Sequence, residues 1–205
     1  MAMPNLTTGK VLSDRHRYML EEESRISSEV IASRGYWTAE TINDLKGVSG
    51  IAENQLMAPS LVLPIYGVDG RYRYSRVRPD NPPSNMKYIQ PTDTLSVLDV
   101  PHTILEKVLD EHQSLVIVEG EKKADALASL GLPVVALFGV WNWSYKVDLN
   151  TPYELQLLVK DFESIPLHGR SVSIIFDADI QTKHHVQLAT GRLANKLRDR
   201  GAQLW

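Results

Sequence analysis

Short runs that are apolar at nearly every position, not at alternate ones, dominate the second half of this chain: LVIV at 115–118, VVALF at 134–138 and VSIIF at 172–176. A strand of that kind must be covered on both faces. Between and after these runs lie stretches of helical pattern. KKADALASLG (122–131) stops at Gly131, and TPYELQLLVKDF (151–162) opens with Thr151 as a cap and Pro152 at the first helical position. HVQLATGRLANKLRDRG (185–201) stops at Gly201, and AQLW (202–205) begins a fourth strand. The order βαβαβαβ predicts an α/β fold, with a parallel sheet flanked by helices.

The first half has a different rhythm. MAMPNLTTGKVL lacks periodicity and reads as a loose lead-in. The run SDRHRYMLEEESRISSEVIASRG (13–35) predicts one helix, capped by Ser13 or Asp14 and closed by Gly35, with apolar positions too sparse for a core helix. TAETINDLKG (38–47) predicts a second, short helix with Thr38 as its N-cap candidate. LVLPIY, the turn GVDG and RYRYSRVR then form a hairpin signal with Asp69-Gly70 at the bend. NPPSNMK (81–87) is a loop, Lys87-Tyr88-Ile89-Gln90-Pro91 is briefly extended, and a weakly patterned join leads to Pro101. These features predict a small α+β unit over 1–100 and the α/β unit over 101–205.

With 205 residues the chain is long enough to bury a real core. The 22 basic against 25 acidic residues leave a net charge of −3, so any nucleic-acid contact must come from a local basic patch. The absence of cysteine excludes disulfides, thiol nucleophiles and Cys-ligated metal. No apolar stretch is long enough to span a membrane, and the polar N-terminus is no signal peptide, so a cytoplasmic location is expected. Neither a Gly-x-Gly-x-x-Gly, a Walker-type loop nor a Ser-His-Asp arrangement is present, which sets aside a dinucleotide enzyme, a self-contained ATPase and a serine hydrolase.

Chemistry in open parallel sheets collects at the carboxyl ends of the strands. Two of the apolar runs end there in acid: Glu119 after LVIV, and Asp177 and Asp179 after VSIIF. The two aspartates point to one side by the period of a strand, and adjacent first and third strands would bring all three acids together. Two carboxylates about 4 Å apart repel by about 4 kcal/mol at an effective dielectric near 20, so such a cluster takes up protons or holds a cation. Hard oxygen donors in an open site suit Mg²⁺ or Mn²⁺, which exchange water for phosphate oxygens. Glu121 and Asp125 are weaker candidates that favour the positive end of the following helix.

The string LVIVEGEKKADALASLG followed by VSIIFDAD resembles the Toprim domain of bacterial-type primases, topoisomerases and related nucleases. It is most similar to the primase-like replication proteins of phages, plasmids and other mobile elements. Their first motif commonly reads Glu-Gly-Glu-Lys-Asp-Ala-Asp-Ala, and Glu119-Gly120-Glu121-Lys122-Lys123-Ala124-Asp125-Ala126 follows it with one exchange. The resemblance implies a general acid–base or metal-associated role for Glu119 and metal binding by Asp177 and Asp179. Upstream, LVLPIYGVDGRYRYSRVRPD and Lys87-Tyr88-Ile89-Gln90-Pro91 are similar in order to the small subdomain that precedes Toprim in those primases. The chain departs from the pattern at Thr182, where a glycine is common, and at Gly139-Val140-Trp141-Asn142-Trp143 in place of a Gly-rich turn. It also lacks the cysteines of a zinc ribbon. A fourth strand only beginning at Trp205 suggests a piece of a longer protein, with helicase or DNA-recognition domains elsewhere.

A nucleic-acid path is expected along Arg71, Arg73, Arg76, Arg78, Lys87 and Tyr88, because guanidinium groups fork onto phosphates and tyrosine stacks on bases. By strand alternation Arg71 and Arg73 share one face, and Tyr72, Tyr74, Arg76 and Arg78 the other. Lys122 and Lys123 are placed to meet a phosphate. Arg192 and Lys196 share a helix face that reads as solvated, His184 and His185 read as surface or capping residues, and Trp141 and Trp143 read as core packing. The expected function is Mg²⁺-dependent nucleotidyl transfer on a single-stranded DNA template, as the catalytic core of a primase-like replication protein. A Toprim nuclease and a non-catalytic module that binds nucleic acid or a helicase are the alternatives.

Overall fold

The computed structural model describes residues 10–46, 48, 50–83, 86–92, 94–146, 150, 152, 155–177 and 183–205. From the N-terminus, α1 (Asp14–Tyr18) runs into a π-turn (Met19–Glu23), followed by α2 (Ser28–Arg34), β1 (Trp37–Ala39), α3 (Ile42–Leu45), β2 (Ser60–Tyr66) and β3 (Tyr72–Pro79). The second half holds α4 (Leu105–Leu109), β4 (Leu115–Glu119), α5 (Glu121–Ser129), β5 (Val134–Leu137), β6 (Ser144–Tyr145) and β7 (Leu157–Leu158). It closes with β8 (Ser171–Ile175), α6 (His184–Asp199) and β9 (Gln203–Leu204). The strands β1–β2–β3 form an antiparallel sheet, and β5–β4–β8–β9 form a parallel one flanked by helices, so the expected α/β class and hairpin are both present.

Every residue of β2 is buried because its sheet is covered on both faces. Leu61 and Leu63 face the main core with β4, β5 and α5, while Val62 joins Trp37, Ala39, Leu45 and Val77 in a smaller cluster behind. The hairpin turns where Gly70 has φ +71°, a left-handed value that only glycine takes without strain. Beyond β3, Ile89 bonds Val77 in both directions at 2.8 Å and carries the extended piece that includes Lys87 and Tyr88.

Four sequence expectations are corrected. The helix over 13–35 is two segments, broken where Arg25 takes a left-handed φ of +56°, and Ser27 recaps the chain by accepting from Val30 N–H. Those segments are not superficial: Leu20 of the first, Ile26 of the connection, and Val30 and Ile31 of α2 are buried in the main core. Thr38 lies in β1, and Thr41 is the N-cap, in a capping box with Asp44. The crossover from β5 to β8 is not the expected helix over the described residues 155–162. Residues 157–158 pair with 144–145, and a 3₁₀ turn covers Lys160–Ser164, because Leu158, Val159 and Phe162 pack in the core cluster that holds fully buried Trp143. Thr151 lies outside the described residues.

The lead-in and the join near residue 100 also pack. Residues 1–9 lie outside the described residues, but Thr38 N–H donates to Val11 at 2.9 Å and the Lys10 ammonium sits 4.1 Å from the Trp37 ring centre. Asp99 bridges the backbone of Ala136 on the free edge of β5, and Leu98 and Val100 are core residues. Of the tryptophans read as packing residues, Trp143 is buried and Trp141 lies half-buried under Arg192; His184 and His185 are exposed at the start of α6, as expected.

Candidate functional site

Parallel strands β4 and β8 are neighbours, with Val118 opposite Ile175, so their carboxyl ends meet. Glu119 closes β4, and Asp177 lies two residues past the end of β8. Both line one cleft of about 260 Å³, together with Arg76, Lys87, Tyr88, Gly120, Glu121, Lys122, Lys123 and Phe138. Asp179 lies outside the described residues. Gly120 turns the chain from β4 into α5 at φ +95° while its N–H donates to the Leu137 carbonyl at 2.8 Å. That left-handed turn sets the first turn of α5, with Glu121, Lys122 and Lys123, over the strand ends.

The first half of the chain supplies the opposite wall. Arg76 projects from β3 and donates from Nη1 to Glu121 Oε2 at 2.7 Å, its guanidinium lying 4.4 Å from the Tyr88 ring centre and 4.7 Å from that of Phe138. Both partners of this pair are buried. Glu121 Oε1 and Arg76 Nε nonetheless have no hydrogen-bond partner among the described residues. Glu121 stands in the first turn of α5, as the helix-dipole reading has it, but it is also buried: desolvation would make an unpaired carboxylate costly there, and Arg76 neutralises it. Asp125 is the residue for which the helix-dipole reading is corrected, since it lies past the first turn of α5. It is fully buried, accepts from Arg34 at 2.5 Å and from the Tyr36 hydroxyl at 2.5 Å, and Arg34 also donates to Asp99 at 2.8 Å.

The eight expected nucleic-acid contacts divide. Arg76, Lys87, Tyr88, Lys122 and Lys123 line the cleft. Arg78 donates to the Met19 sulfur, and Lys122 approaches the same sulfur at 3.7 Å and Ser24 Oγ at 3.2 Å. Arg71 and Arg73 are instead held at the hairpin turn by Asp69, with Arg73 Nη2 donating at 2.8 Å. The simple alternation of faces is interrupted by a register shift after Ile65, where Tyr66 pairs with Tyr72. Sequence reasoning missed Phe138 and the buried role of Glu121. Phe138 follows β5 immediately, so the strand-end rule that singled out Glu119 would have found it.

Burial lowers the pKa of the Lys122 ammonium, and the charges of Arg78 and Lys87 lower it further. Burial pushes the Tyr88 hydroxyl up, with the Glu121 carboxylate adding to the effect. Tyr74, behind Arg76 and tilted against Phe138 with ring centres 6.2 Å apart, is pushed up by burial to about 12. Four cations and three carboxylates line the cleft, with Arg76 bonded to Glu121 and Lys123 bonded to Asp177. Glu119 and Asp177 provide hard oxygen donors in a cleft open to water, which fits a cation that keeps several waters and exchanges them for phosphate oxygens. Among the described residues no three metal-ligating side chains are gathered at one point.

The same fold occurs in known proteins. The structure superposes on the zinc-binding and RNA polymerase domains of Aquifex aeolicus primase with a TM-score of 0.65 at 16% identity, over 94% of this chain and 49% of that one. A DnaG primase catalytic domain bound to single-stranded DNA matches with a TM-score of 0.56 at 17% identity, over 92% of this chain and 64% of that one. The primase fragment of the bacteriophage T7 primase-helicase protein matches with a TM-score of 0.52 at 18% identity, over 96% of this chain and 69% of that one. The chain therefore has the fold of a primase catalytic core and spans about half the length of the Aquifex structure. A domain of unknown function, DUF3854, matches residues 105–205. No curated protein sequence matches the chain. Among the described residues no helix is long and apolar enough to cross a membrane.

Proposed function

We propose that this chain is the catalytic core of a primase-like DNA replication protein of the Toprim type, performing Mg²⁺- or Mn²⁺-dependent nucleotidyl transfer on a single-stranded DNA template. The observation that carries the reading is one cleft, on a primase-core fold, in which Glu119 and Asp177 meet the Lys87–Tyr88 segment and the Lys122–Lys123 turn. Glu119 and Asp177, with Asp179 as the third expected ligand, would hold the cation. A divalent ion bound there supplies charge neutralisation of a triphosphate and activation of a primer 3′-hydroxyl. Lys87 and Lys122 are placed to bind phosphate oxygens, and the Tyr88 and Phe138 rings, which clamp Arg76, keep the guanidinium aimed along the cleft. Arg71, Arg73 and Arg78 lie along the hairpin outside the cleft and would follow the template strand beyond it.

The division near residue 100 is proposed as one of function: residues 1–100 present Arg76, Lys87 and Tyr88, and 101–205 the carboxylates together with Lys122 and Lys123 of the α5 turn. A mobile-element setting, a helicase partner or domain and a cytoplasmic location belong to the same proposal. Incubation with single-stranded DNA, labelled nucleoside triphosphates and Mg²⁺ tests it. Strand lengthening is expected, falling at least a hundredfold in Asp177→Asn and in Glu119→Gln. Shortening of the DNA would replace polymerisation with nuclease action, and neither change would favour a binding module.

A further inference from the structure

The ammonium of Lys123 is bonded to the carboxylate of Asp177 inside the cleft that also holds Glu119. Lys123 stands in the first turn of α5, and Asp177 follows β8, so the contact spans the two elements whose ends form the site. The side chains are 46% and 58% exposed, so a diffusing ion reaches the carboxylate. Glu121, only 1% exposed, lines the same cleft but is held by Arg76 at 2.7 Å, which leaves Asp177 as the acid of the cleft that Lys123 engages. The chain has thus placed one lysine on one of the two acids to which its strand topology assigns a cation.

We infer that Lys123 is a built-in competitor for the divalent cation, its ammonium occupying the place on Asp177 that the ion would take. The inference rests on the reading of Glu119 and Asp177 as cation ligands. An ammonium and a divalent ion repel strongly at contact distance, so Asp177 becomes a ligand only when Lys123 leaves it. The lysine stem is flexible and its head carries three donors, so a phosphate oxygen is a ready alternative partner. Lys123 therefore sets the divalent-ion concentration at which the cleft fills and makes filling easier once a phosphorylated ligand has drawn the ammonium away.

Mn²⁺ binding to the 205-residue chain, followed by electron paramagnetic resonance without nucleotide, tests the inference. Lys123→Ala and Lys123→Gln are expected to bind Mn²⁺ about tenfold more tightly than the wild type, and Lys123→Ala in an Asp177→Asn background to give no gain. Unchanged affinity in both lysine variants, a gain that persists without Asp177, or no Mn²⁺ binding in any variant overturns it. The primer-extension assay reads the other question separately. A wild type that extends no primer but shows the Lys123-dependent affinity loses the polymerase reading alone, and one that extends primer with Mn²⁺ affinity indifferent to residue 123 loses this inference alone.

Discussion

Arg76 touches three other side chains in the cleft wall, and its removal strands a buried acid. Glu121 is 1% exposed and its Oε2 depends on the Arg76 guanidinium at 2.7 Å. Arg76→Ala should cost about 3 kcal/mol of unfolding free energy, because an uncompensated buried charge costs more than the pair gains. The urea midpoint measures this, and the double variant Arg76→Ala/Glu121→Gln should recover part of the loss. Asp125 supplies a pH signature. Burial raises its carboxyl from 3.8 to about 6, against the pull of Arg34. Below about pH 4 the group is protonated folded and unfolded alike, whereas above about pH 6 the folded protein must carry a buried charge. Relative to Asp125→Asn, the wild type should therefore lose stability as the pH rises from about 4 to about 6 and show a constant difference above that. At this scale the acids Glu119 and Asp177 were legible because strand ends announce themselves by a change from apolar to charged residues. The Arg76–Glu121 and Arg34–Asp125 pairs were not, since their partners are 45 and 91 positions apart and each residue alone resembles surface charge.

Elements with local signals were read well and those shaped by long-range contact were not. The hairpin, β4, α5, β5, β8 and α6 lie where apolar runs, turn glycines and helical spacing place them. The failures share a cause. Residues 13–35 have continuous helical propensity, yet the chain breaks at Arg25 and buries Ile26 of the connection in the same core as Leu20 and Val30. The 157–162 segment has helical spacing, but Leu158, Val159 and Phe162 join the core that surrounds Trp143, and the β6–β7 pairing prevails over propensity. The β4–α5 junction offers a test. Gly120 holds φ +95°, and a Cβ there would meet no atom within 4 Å, so the penalty of Gly120→Ala is one of backbone conformation alone. A loss of about 1–2 kcal/mol is expected in chemical denaturation. The variant should also tighten Mn²⁺ binding, because the turn that holds Lys123 on Asp177 would rotate.

At the scale of the whole molecule, residues from both halves share one core. Leu20, Ile31, Leu61 and Leu63 belong to the same cluster as Ile117, Ala124, Val135 and Leu193, and the smaller cluster around Trp37 shares strand β2 with it. Unfolding should be cooperative across the chain. Variants that keep only Trp37 or only Trp143 should report coincident urea transitions by fluorescence, whereas two separated midpoints would mean that the halves melt independently. The buried guanidinium of Arg34 is the polar counterpart of that shared core: it leaves α2 to bond Pro64, Asp99 and Asp125, contacting a strand of the first sheet, the segment at the edge of the second and the helix above the cleft. A chimaera that grafts a foreign N-terminal half onto residues 101–205 must therefore import an arginine at the corresponding place, or the graft will leave orphaned anions beneath α5 and loosen the very turn that faces the ligand.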